Sequence, residues 1–469
     1  MRGWVLSMAA AFLVPAGQPP ADYVAGGLIR LNDNGAWSWF MDERALVHQG
    51  RLIVGSVRAV GDFRNDRDPD WGNVEAAICD LSTGEVRKAV LHRHFEQDDH
   101  DSPSFLPLPD GRLLAVYTKH GVDRKLHWRL SEPNDPLAWG AESVFESPGR
   151  DSAAFRGDNV TYSNPFLLPD GRIVCFYRGV GFDPNYLVSD DSGRSWRYGG
   201  RLLKVRGGYS PYLKYAHDGR GTIHFAATED HPRNYDNSVY HGFIRDGVVH
   251  FSDGKPRGRL STSTDVEIAA WELTRVFQGD PDNVAWVIDL ELDSKGRPRV
   301  LFSVQKDGRG LPPRQGGMDH RYHYARWDGS AWTVQEIACA GTRLYPFEDD
   351  YTGLGAIDPQ NPDVVFISTD ADPSTGAPLV SRGDGKRHRE IFRGVAPQSG
   401  RAWTWQPITA NSTTDNLRPL VPKWRDPRTA VVWMRGAYRN NRGEWTTAVV
   451  ATVLPPASGA GQAQAGSGP

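Results

Sequence analysis

The sequence predicts an all-β protein, a seven-bladed β-propeller with four-stranded antiparallel blades. Composition is the first reason, because 50 Gly, 33 Pro and 16 Trp in 469 residues favour short strands and tight turns. Long apolar stripes with the 3.6-residue period of a helix are missing, so helices should be few and short. The second reason is a strand-turn-strand unit that recurs seven times along the chain.

Each recurring unit is an apolar run, a polar turn and a second apolar run. The turns follow one another at intervals of about 50 to 75 residues, which is enough for a four-stranded blade and its loops. Two stacked β-sandwiches are the alternative, but they would not need seven similar hairpins. The predicted turns lie near Gly50, Asp110, Asp170, Asp218, Lys295, Pro359 and Asp426.

Two short motifs support the propeller. Residues 189–196, SDDSGRSW, match the Asp-box pattern S-x-D-x-G-x-[ST]-W found at blade hairpins of sialidase-like propellers. Residues 326–332, RWDGSAW, are a degenerate relative of the same pattern. The Asp can cap a tight turn and the Trp can pack between sheets, so both motifs are predicted to be structural rather than catalytic.

The chain divides into three predicted segments. Residues 1–21 resemble a secretory signal peptide, with one Arg, an apolar stretch and then small residues, although an apolar N-terminal strand is the alternative. Residues 22–454 form the propeller, and the Gly/Ala/Ser-rich residues 455–469 are expected to be a disordered tail. No later run reaches membrane-spanning length. We therefore expect a secreted protein, extracellular or periplasmic, without a membrane partner.

Charge and cysteine content exclude several classes of protein. The net charge is −3 and no basic run is present, which argues against a nucleic-acid partner. Cys79, Cys175 and Cys339 lie in separate apolar stretches, which favours neither a disulfide framework nor a zinc knuckle. We expect all three to be small core residues. The Walker loop, the dinucleotide fingerprint and H-E-x-x-H are missing.

Two residue pairs lie symmetrically about neighbouring turns. His100 and His120 are ten residues either side of Asp110, and Tyr162 and Arg178 are eight residues either side of the next predicted turn. Antiparallel pairing brings such partners together across neighbouring strands, at the same end of the ring. Two imidazoles, a phenol and a guanidinium are then expected to converge.

This set of side chains can neutralise a carboxylate, remove a proton and return one, which points to an enzyme acting on an acidic sugar. Arg178 can bind a uronate carboxylate through its bidentate fork and so ease removal of the adjacent C5 proton. Tyr162 or a histidine can then transfer the proton. Taken singly, each of these residues would more often be structural, and only their pairing favours a site.

Nearby acidic residues leave several alternatives open. Asp98, Asp99 and Asp101 can fix a histidine tautomer or raise its pKa, cap turns, or bind a cation. A glycoside hydrolase needs two carboxylates at the bond, and the sequence does not show whether Asp98, Asp101, Glu229 or Asp230 form such a pair. The early Arg-Ile-Pro motif of propeller sialidases is missing.

The chain resembles the BNR-repeat propeller polysaccharide lyases, a group that includes ulvan lyases and rhamnosyl-glucuronate lyases. The resemblance covers most of the mature chain. It is carried by residues 34–40 (NGAWSWF), 98–101 (DDHD), 117–121 (YTKHG), 176–179 (FYRG), 212–215 (YLKY), 230–233 (DHPR), 322–329 (YHYARWDG), 353–359 (GLGAIDP) and 416–419 (NLRP).

The resemblance implies a lyase site at His100, His120, Tyr162 and Arg178. It also implies β-elimination at the α-1,4 linkage from rhamnose to glucuronate, in ulvan or a rhamnose-capped arabinogalactan, leaving a 4,5-unsaturated uronate. We expect Tyr162 and His100 to share the base and acid work, His120 to orient or assist, and Arg178 to neutralise the carboxylate. The alternatives are an α-L-rhamnosidase that hydrolyses the same linkage and a non-catalytic carbohydrate-binding propeller.

Further expectations concern ligands and assembly. No cofactor is required for the chemistry, and a structural calcium ion near the propeller axis is possible, with Asp230, His231 and His241 as weak candidate ligands. Family members with a cysteine-bound metal use cysteines beyond the fourth hairpin, where this chain has only Cys339. Possible substrate contacts are Tyr209, His231 and Asn237. The protein is expected to be a monomer whose partner is an acidic polysaccharide or oligosaccharide.

Overall fold

Seven antiparallel sheets form a ring, which confirms the predicted seven-bladed propeller. The structure is a computed structural model, and it describes residues 19–60, 68–149, 156–204, 211–312, 314–396 and 402–457. Most of the predicted signal peptide, and the tail from residue 458 onward, lie outside the described residues.

The first half of the described chain contains two N-terminal strands and three blades. The N-terminal strands are β1 (Tyr23–Val24) and β2 (Ile29–Asn32). Blade 1 contains β3 (Ala45–His48), β4 (Arg51–Val57), β5 (Val74–Asp80) and β6 (Val86–His92). Blade 2 contains β7 (Ser104–Pro107), β8 (Leu113–Thr118), β9 (Lys125–Glu132), β10 (Asp135–Trp139) and β11 (Ser143–Glu146). Blade 3 contains β12 (Thr161–Leu167), β13 (Ile173–Arg178), β14 (Pro184–Ser189) and β15 (Arg197–Arg201).

Four blades follow. Blade 4 contains β16 (Leu213–His217), β17 (Ile223–Ala227), β18 (Val239–Arg245), β19 (Val248–Phe251), β20 (Pro256–Arg259) and β21 (Thr274–Phe277). Blade 5 contains β22 (Val284–Leu292), β23 (Pro298–Gln305), β24 (His320–Trp327) and β25 (Trp332–Gly341). Blade 6 contains β26 (Gly355–Ile357), β27 (Val364–Thr369), β28 (Glu390–Val395) and β29 (Thr404–Pro407). After β30 (Thr409–Ala410), blade 7 contains β31 (Asn416–Leu420), β32 (Thr429–Arg435) and β33 (Ala448–Leu454).

Helices are few and short, as the composition predicts. The helices of the described part are single 3-10 turns at Asp99–Asp101, Arg156–Asp158, Val180–Phe182 and Ala270–Glu272. Among the described residues there is no helix with the length and apolar character that crossing a membrane requires.

All seven predicted hairpins are present, and each joins the first two strands of a blade. One register differs from the symmetric expectation. Asn164 pairs with Phe176 as expected, but a bulge then shifts the ladder so that Arg178 faces Thr161 and not Tyr162. A bulge of this kind redirects a side chain at the end of a strand.

The Asp-box motifs have the predicted structural role. Asp191 Oδ1 accepts hydrogen bonds from the backbone N–H groups of Arg194 at 3.0 Å and Ser195 at 2.8 Å, which closes the turn. In the degenerate copy, the Trp332 indole N–H donates to Ser252 Oγ of the neighbouring blade at 3.0 Å. The tryptophan therefore packs between two sheets, as expected.

The ring is closed by the N-terminal strand. β2 pairs with β33 as the fourth strand of blade 7, with Ile29 opposite Ala451 and Arg30 opposite Val450. This closure joins the two ends of the propeller by backbone hydrogen bonds. The hairpin repeat alone does not predict it, because β2 belongs to no hairpin unit.

The segment Trp37–Arg44 crosses the inner end of several blades, and we call it the axial plug. Its first six residues include three aromatic side chains that are almost fully buried. Asn164 of β12 accepts a hydrogen bond from the Asp42 backbone N–H at 2.8 Å, and Lys214 of β16 donates to a plug carbonyl at 2.8 Å. Arg418 of β31 donates to another plug carbonyl. The plug therefore connects first strands from different sides of the ring.

The cysteines follow the prediction in two cases of three. Cys79 and Cys175 are buried, and all three thiols are free. Cys339 is a correction, because it is only half-buried and its Sγ lies 3.3 Å from the Arg321 guanidinium. The last strand of a blade is its outer strand, which explains the partial exposure of Cys339 on β25.

Candidate active site

The four residues of the symmetric pairs come together at the end of the ring where the first strands of the blades begin. The imidazoles of His100 and His120 are stacked, with ring centroids 3.6 Å apart and planes 9° apart. The Tyr162 ring lies 5.3 Å from that of His100. The Arg178 guanidinium lies over the Tyr162 ring, 4.8 Å from its centroid. The hairpin symmetry therefore predicted the correct neighbours.

Local backbone structure positions the two histidines. His100 lies in the 3-10 turn Asp99–Asp101, and Asp98 caps this turn by accepting the His100 backbone N–H at 3.1 Å. His120 follows β8, and its backbone N–H donates to Glu96 Oε2 at 3.1 Å. Acidic side chains thus fix the backbone on both sides of the pair.

Asp98 also bridges the two imidazoles. His100 Nδ1 lies 2.6 Å from Asp98 Oδ1, and His120 Nδ1 lies 2.8 Å from Asp98 Oδ2. Asp99 Oδ1 is 2.7 Å from His100 Nδ1 as well, but the hydrogen bond is to Asp98. Within the described part of the chain neither Nε2 atom has a hydrogen-bond partner. Nε2 is therefore the nitrogen that each ring offers to a ligand.

The shared carboxylate separates the pKa values of the two histidines. Burial disfavours the charged form of His100, but Asp98 and Asp99 outweigh it and raise its pKa to about 9. Burial, together with the charges of His100 and Arg178, lowers the pKa of His120 to about 4 despite Asp98. At neutral pH the pair thus holds one imidazolium and one neutral imidazole. Such a pair provides an acid and a base side by side.

Tyr162 has an unusual backbone conformation at the start of β12. Its φ is +63°, in the left-handed region that a bulky residue rarely adopts, and it lies at the bulge of the strand. Burial raises the pKa of Tyr162 well above its usual value, so the phenol keeps its proton. The bulge turns this protonated phenol toward the histidines and Arg178.

Arg178 is held by its neighbours without a carboxylate partner in the described chain. Its Nη2 donates to Thr161 Oγ1 at 3.1 Å, and its guanidinium also lies 5.4 Å from the Phe182 ring centroid. This bond to Thr161 is the one hydrogen bond of the guanidinium within the described residues, and its Nε is buried without a partner. A guanidinium fits a carboxylate with two parallel hydrogen bonds.

The predicted substrate contacts have different outcomes. Tyr209 lies outside the described residues. His231 is buried next to the site, its ring 5.6 Å from Tyr212, and burial and the charge of Arg233 lower its pKa well below the usual value. Asn237 is a correction, because its side chain is fully buried.

Asn237 stabilises a loop. Its Nδ2 donates to the Asp230 carbonyl at 2.6 Å, and its Oδ1 accepts the Asp230 backbone N–H at 2.9 Å. The proposed calcium ligands also separate. His241 Nε2 lies 3.1 Å from His224 Nδ1, and its Nδ1 lies 2.8 Å from Ser252 Oγ, so both of its nitrogens are occupied. A calcium ion near the axis remains a prediction, without His241 as a ligand.

Several residues of the site were not expected. Tyr212 precedes β16 and lies 6.1 Å from the Tyr162 ring, and Phe40 of the axial plug lies 5.4 Å from that ring. Arg418 donates to the fully buried Asp99, whose Oδ2 also accepts the Tyr438 hydroxyl at 2.6 Å. Tyr212 could have been found because it precedes the first strand of its blade, as His100 precedes β7. The plug gave no such signal.

A groove of about 670 Å³ extends from His120 along blades 1 and 2. Its lining includes the aromatic side chain of Trp71 and the cationic side chains of Lys119 and Arg442. Aromatic faces and positive charges suit a chain of acidic sugars. The groove therefore begins at the site and extends away from it along the surface of the ring.

Two residue groups near the site have a metal-binding composition. Potential ligand atoms of Asp98, His100 and His120 lie within 4.8 Å of one another, as do those of His231, Glu348 and Asp350. The first group is already joined by hydrogen bonds from both imidazoles to the carboxylate. In the second, Arg233 Nη2 lies 2.6 Å from His231 Nε2. A cationic side chain therefore lies beside each group, Arg178 at the first and Arg233 at the second.

The fold and the clustered site define a seven-bladed β-propeller with two histidines, a tyrosine and an arginine grouped at one end of the ring. The family model described as "BNR repeat-containing family member" matches residues 70–340, and the chain belongs to this family. No curated protein matches the chain.

Solved structures share the fold. A family PL25 ulvan lyase bound to -[GlcA(1-4)Rha3S]- is 15% identical, with a TM-score of 0.60 over 91% of this chain and 95% of the lyase. The same type of lyase described without that ligand is 14% identical, with a TM-score of 0.60 over the same shares of both chains. A GH93 α-L-arabinofuranosidase of Fusarium graminearum is 14% identical, with a TM-score of 0.41 over 75% of this chain and 91% of that enzyme.

Proposed function

We propose that this protein is a secreted polysaccharide lyase that cleaves a rhamnose-α-1,4-glucuronate linkage by β-elimination. The observation that carries the proposal is the stacked pair of His100 and His120, bridged by Asp98 and holding pKa values on opposite sides of neutrality. Arg178 and Tyr162 lie beside this pair. We also propose that the protein is a monomer and that the chemical step needs no cofactor.

Arg178 would bind the carboxylate of the glucuronate. The C5 proton of a uronate is difficult to remove because the resulting charge develops next to an anion. A bidentate guanidinium neutralises that anion and stabilises the enolate that forms. Arg178 suits this role because its described neighbours leave N–H groups available, and because it lies 4.8 Å from the Tyr162 ring.

The histidines would transfer the protons. His120 Nε2, neutral above its pKa of about 4, accepts the C5 proton. The electron pair of the C5–H bond forms the C4=C5 double bond, and the C4–O4 bond breaks. His100, an imidazolium below its pKa of about 9, donates its Nε2 proton to the departing O4. The C5 hydrogen and O4 of glucuronate lie on one face of the ring, and two parallel imidazoles can reach one face together.

This division of work differs from the one expected from the resemblance. A phenol whose pKa is raised by burial stays protonated, so Tyr162 is unsuited to be the base. We propose that the Tyr162 hydroxyl donates a hydrogen bond to the sugar close to the reacting carbons. His120 is then the base. The base and acid of the reaction are then the two groups whose protonation states already differ.

The carboxylates near the site favour a lyase over a hydrolase. A glycoside hydrolase of the usual type needs two carboxyl groups that face the bond. Asp98 is occupied by both histidines, while Asp99 and Asp101 are fully buried. Glu96 lines the groove, and burial and the nearby charge of Asp98 raise its pKa.

The groove favours an acidic polymer as substrate. Lys119 and Arg442 place positive charge along it, and Trp71 offers a stacking face. The structurally similar ulvan lyase bound -[GlcA(1-4)Rha3S]-. Ulvan and a rhamnose-capped arabinogalactan containing glucuronate are therefore the two substrates to test.

The test is the ultraviolet absorbance of the 4,5-unsaturated uronate during incubation with each polysaccharide. An increase is expected with the wild-type protein, and His120→Ala, which removes the proposed base, should lower kcat by a factor of about 10² to 10⁴. Tyr162→Phe, which removes only a hydrogen bond to the sugar, should lower kcat by about tenfold. Tyr162→Phe should still bind the polymer. The matched control is His250→Ala on blade 4, which changes a histidine outside the set of His100, His120, Tyr162 and Arg178. This variant should keep the wild-type rate.

Two outcomes would overturn the proposal. Release of free rhamnose without new absorbance would identify a hydrolase. Binding of the polymer without any product, in the wild-type protein and in Tyr162→Phe alike, would identify a carbohydrate-binding propeller. Full activity of His120→Ala would leave the reaction class intact but would refute the assignment of the base.

A further inference from the structure

A second cluster of histidines lies at the junction of blades 1 and 2. His92 ends β6 of blade 1, His127 lies on β9 of blade 2, and Glu142 immediately precedes β11. His92 Nδ1 is 2.6 Å from Glu142 Oε2, and His127 Nδ1 is 3.0 Å from Glu142 Oε1. Both imidazoles thus present the same nitrogen to one carboxylate. The proposed lyase chemistry uses none of these residues.

We propose that His92, His127 and Glu142 form a binding site for a divalent transition-metal ion such as Zn²⁺. One ligand atom from each residue lies within 4.8 Å of the others. A tetrahedral ion with bonds of about 2.0–2.2 Å to nitrogen and oxygen requires ligand atoms only slightly farther apart than the observed hydrogen-bond distances. Two imidazoles and one carboxylate are a common protein ligand set for Zn²⁺.

The surroundings support the three ligands as a preformed site. The Tyr117 hydroxyl donates a hydrogen bond to Glu142 Oε2 at 2.5 Å, and this bond fixes the orientation of the carboxylate. The Phe95 ring lies 4.6 Å from the His92 ring and 4.9 Å from the His127 ring, so an apolar wall holds both imidazoles. Ordered ligands of this kind lose little freedom when an ion binds.

The charge and exposure of the cluster also suit a cation. Glu142 contributes the one carboxylate of the cluster, and this carboxylate is partly buried between the two imidazoles. The His92 side chain is 29% exposed and that of Glu142 is 19% exposed, which gives an ion access from solvent. Arg129 lies near Tyr117 and opposes a cation, so its replacement by Gln should tighten binding.

A metal at this position would join two blades. His92 belongs to the outer strand of blade 1, whereas His127 lies on β9 of blade 2 and Glu142 precedes β11 of the same blade. An ion that binds only the folded chain stabilises it in proportion to the logarithm of its free concentration over Kd. The expected role is therefore structural.

The experiment uses the full-length protein after removal of metals with EDTA and buffer exchange. Isothermal titration with ZnCl₂ should give one equivalent of binding, and the melting temperature should rise with Zn²⁺. His92→Ala and Glu142→Gln should each lose this equivalent and the Zn²⁺-dependent shift. His250→Ala is the control histidine variant and should retain both. Circular dichroism of each variant shows whether the fold is kept, and His127→Gln is the second variant if His92→Ala does not fold.

Two results would overturn the proposal. The first is no Zn²⁺ binding to the wild-type protein. The second is an equivalent that survives in His92→Ala and Glu142→Gln but is lost in His100→Ala or His231→Ala, which would assign the ion to one of the other two clusters. Cobalt substitution gives an independent readout, because the visible spectrum of tetrahedral Co²⁺ should disappear with the same two variants.

Discussion

A single carboxylate is shared by two histidines whose pKa values differ. Asp98 accepts a hydrogen bond from Nδ1 of both His100 and His120, but Asp99 adds its negative charge on the His100 side only. Arg178 adds positive charge on the His120 side. The imidazoles therefore differ in charge at neutral pH although their rings are parallel and in contact. An acid and a base of this kind need no rearrangement between proton removal and proton donation.

We predict a bell-shaped dependence of kcat/KM on pH. His120 acts as a base only when neutral, so activity should fall as pH decreases toward about 4. His100 acts as an acid only when protonated, so activity should fall as pH rises through about 9. Initial rates of uronate absorbance across this range would test the prediction. A profile whose two limbs lie on the same side of neutrality would contradict the assignment.

Asp98→Asn should act through the histidines rather than through the substrate. An amide has no charge to hold the His100 imidazolium, so the pKa of His100 should fall and the alkaline limb should move to lower pH. We expect kcat to decrease by at least about tenfold while KM changes little. Asp110→Asn, in the turn of the same hairpin, is the matched control. An unchanged pH profile in Asp98→Asn would show that Asp98 has only a structural role.

The sequence predicted which four residues meet, but not how they are tuned. Symmetry about two Asp-Gly turns is a property of spacing, and it survives in the structure. The pKa separation depends on burial and on Asp98, Asp99 and Arg178 approaching from different loops. Asn237 is the opposite case, since this predicted substrate contact is fully buried and hydrogen-bonded to the backbone of Asp230.

At the scale of the strand, one extra residue in β12 changes which side chains face each other at the site. The β12–β13 ladder keeps the expected register at Asn164 and then shifts by one residue before Arg178. Tyr162 lies within this shift and takes a positive φ. Apolar runs and turn residues predict strands and hairpins well, because they reflect local geometry. They contain no information about a bulge at the far end of a strand.

Asp191→Ala should destabilise the blade 3 hairpin. The carboxylate accepts two backbone N–H groups and the Ser195 hydroxyl, and its loss leaves the turn without these partners. We expect the free energy of unfolding to fall by about 1–2 kcal/mol in urea denaturation. Asp190→Ala removes only an exposed ion pair with Arg197 and should have little effect. Equal effects of the two substitutions would refute a capping role for Asp191.

At the scale of the whole molecule, ring closure depends on a strand from the other end of the chain. β2 completes blade 7 through its pairing with β33. The sequence predicted the number of blades because each blade has a hairpin. It did not predict which segment closes the ring, because a strand of four residues is too short to show a recognisable hydrophobic pattern.

Leu31→Ala should weaken this closure. The Leu31 side chain is 2% exposed and packs in the main core cluster, so its truncation should lower the free energy of unfolding by about 2–4 kcal/mol. Leu28→Ala is the matched control, because Leu28 precedes the strand and is 46% exposed. Urea denaturation of both variants would measure the difference. A Leu31→Ala variant as stable as Leu28→Ala would mean that β2 contributes little to closure.

The axial plug determines how a long polymer can approach the protein. Its aromatic side chains are buried, and its backbone is hydrogen-bonded to the first strands of three blades. If the protein acts on a polysaccharide as proposed, the sugar chain would therefore lie across one face of the ring.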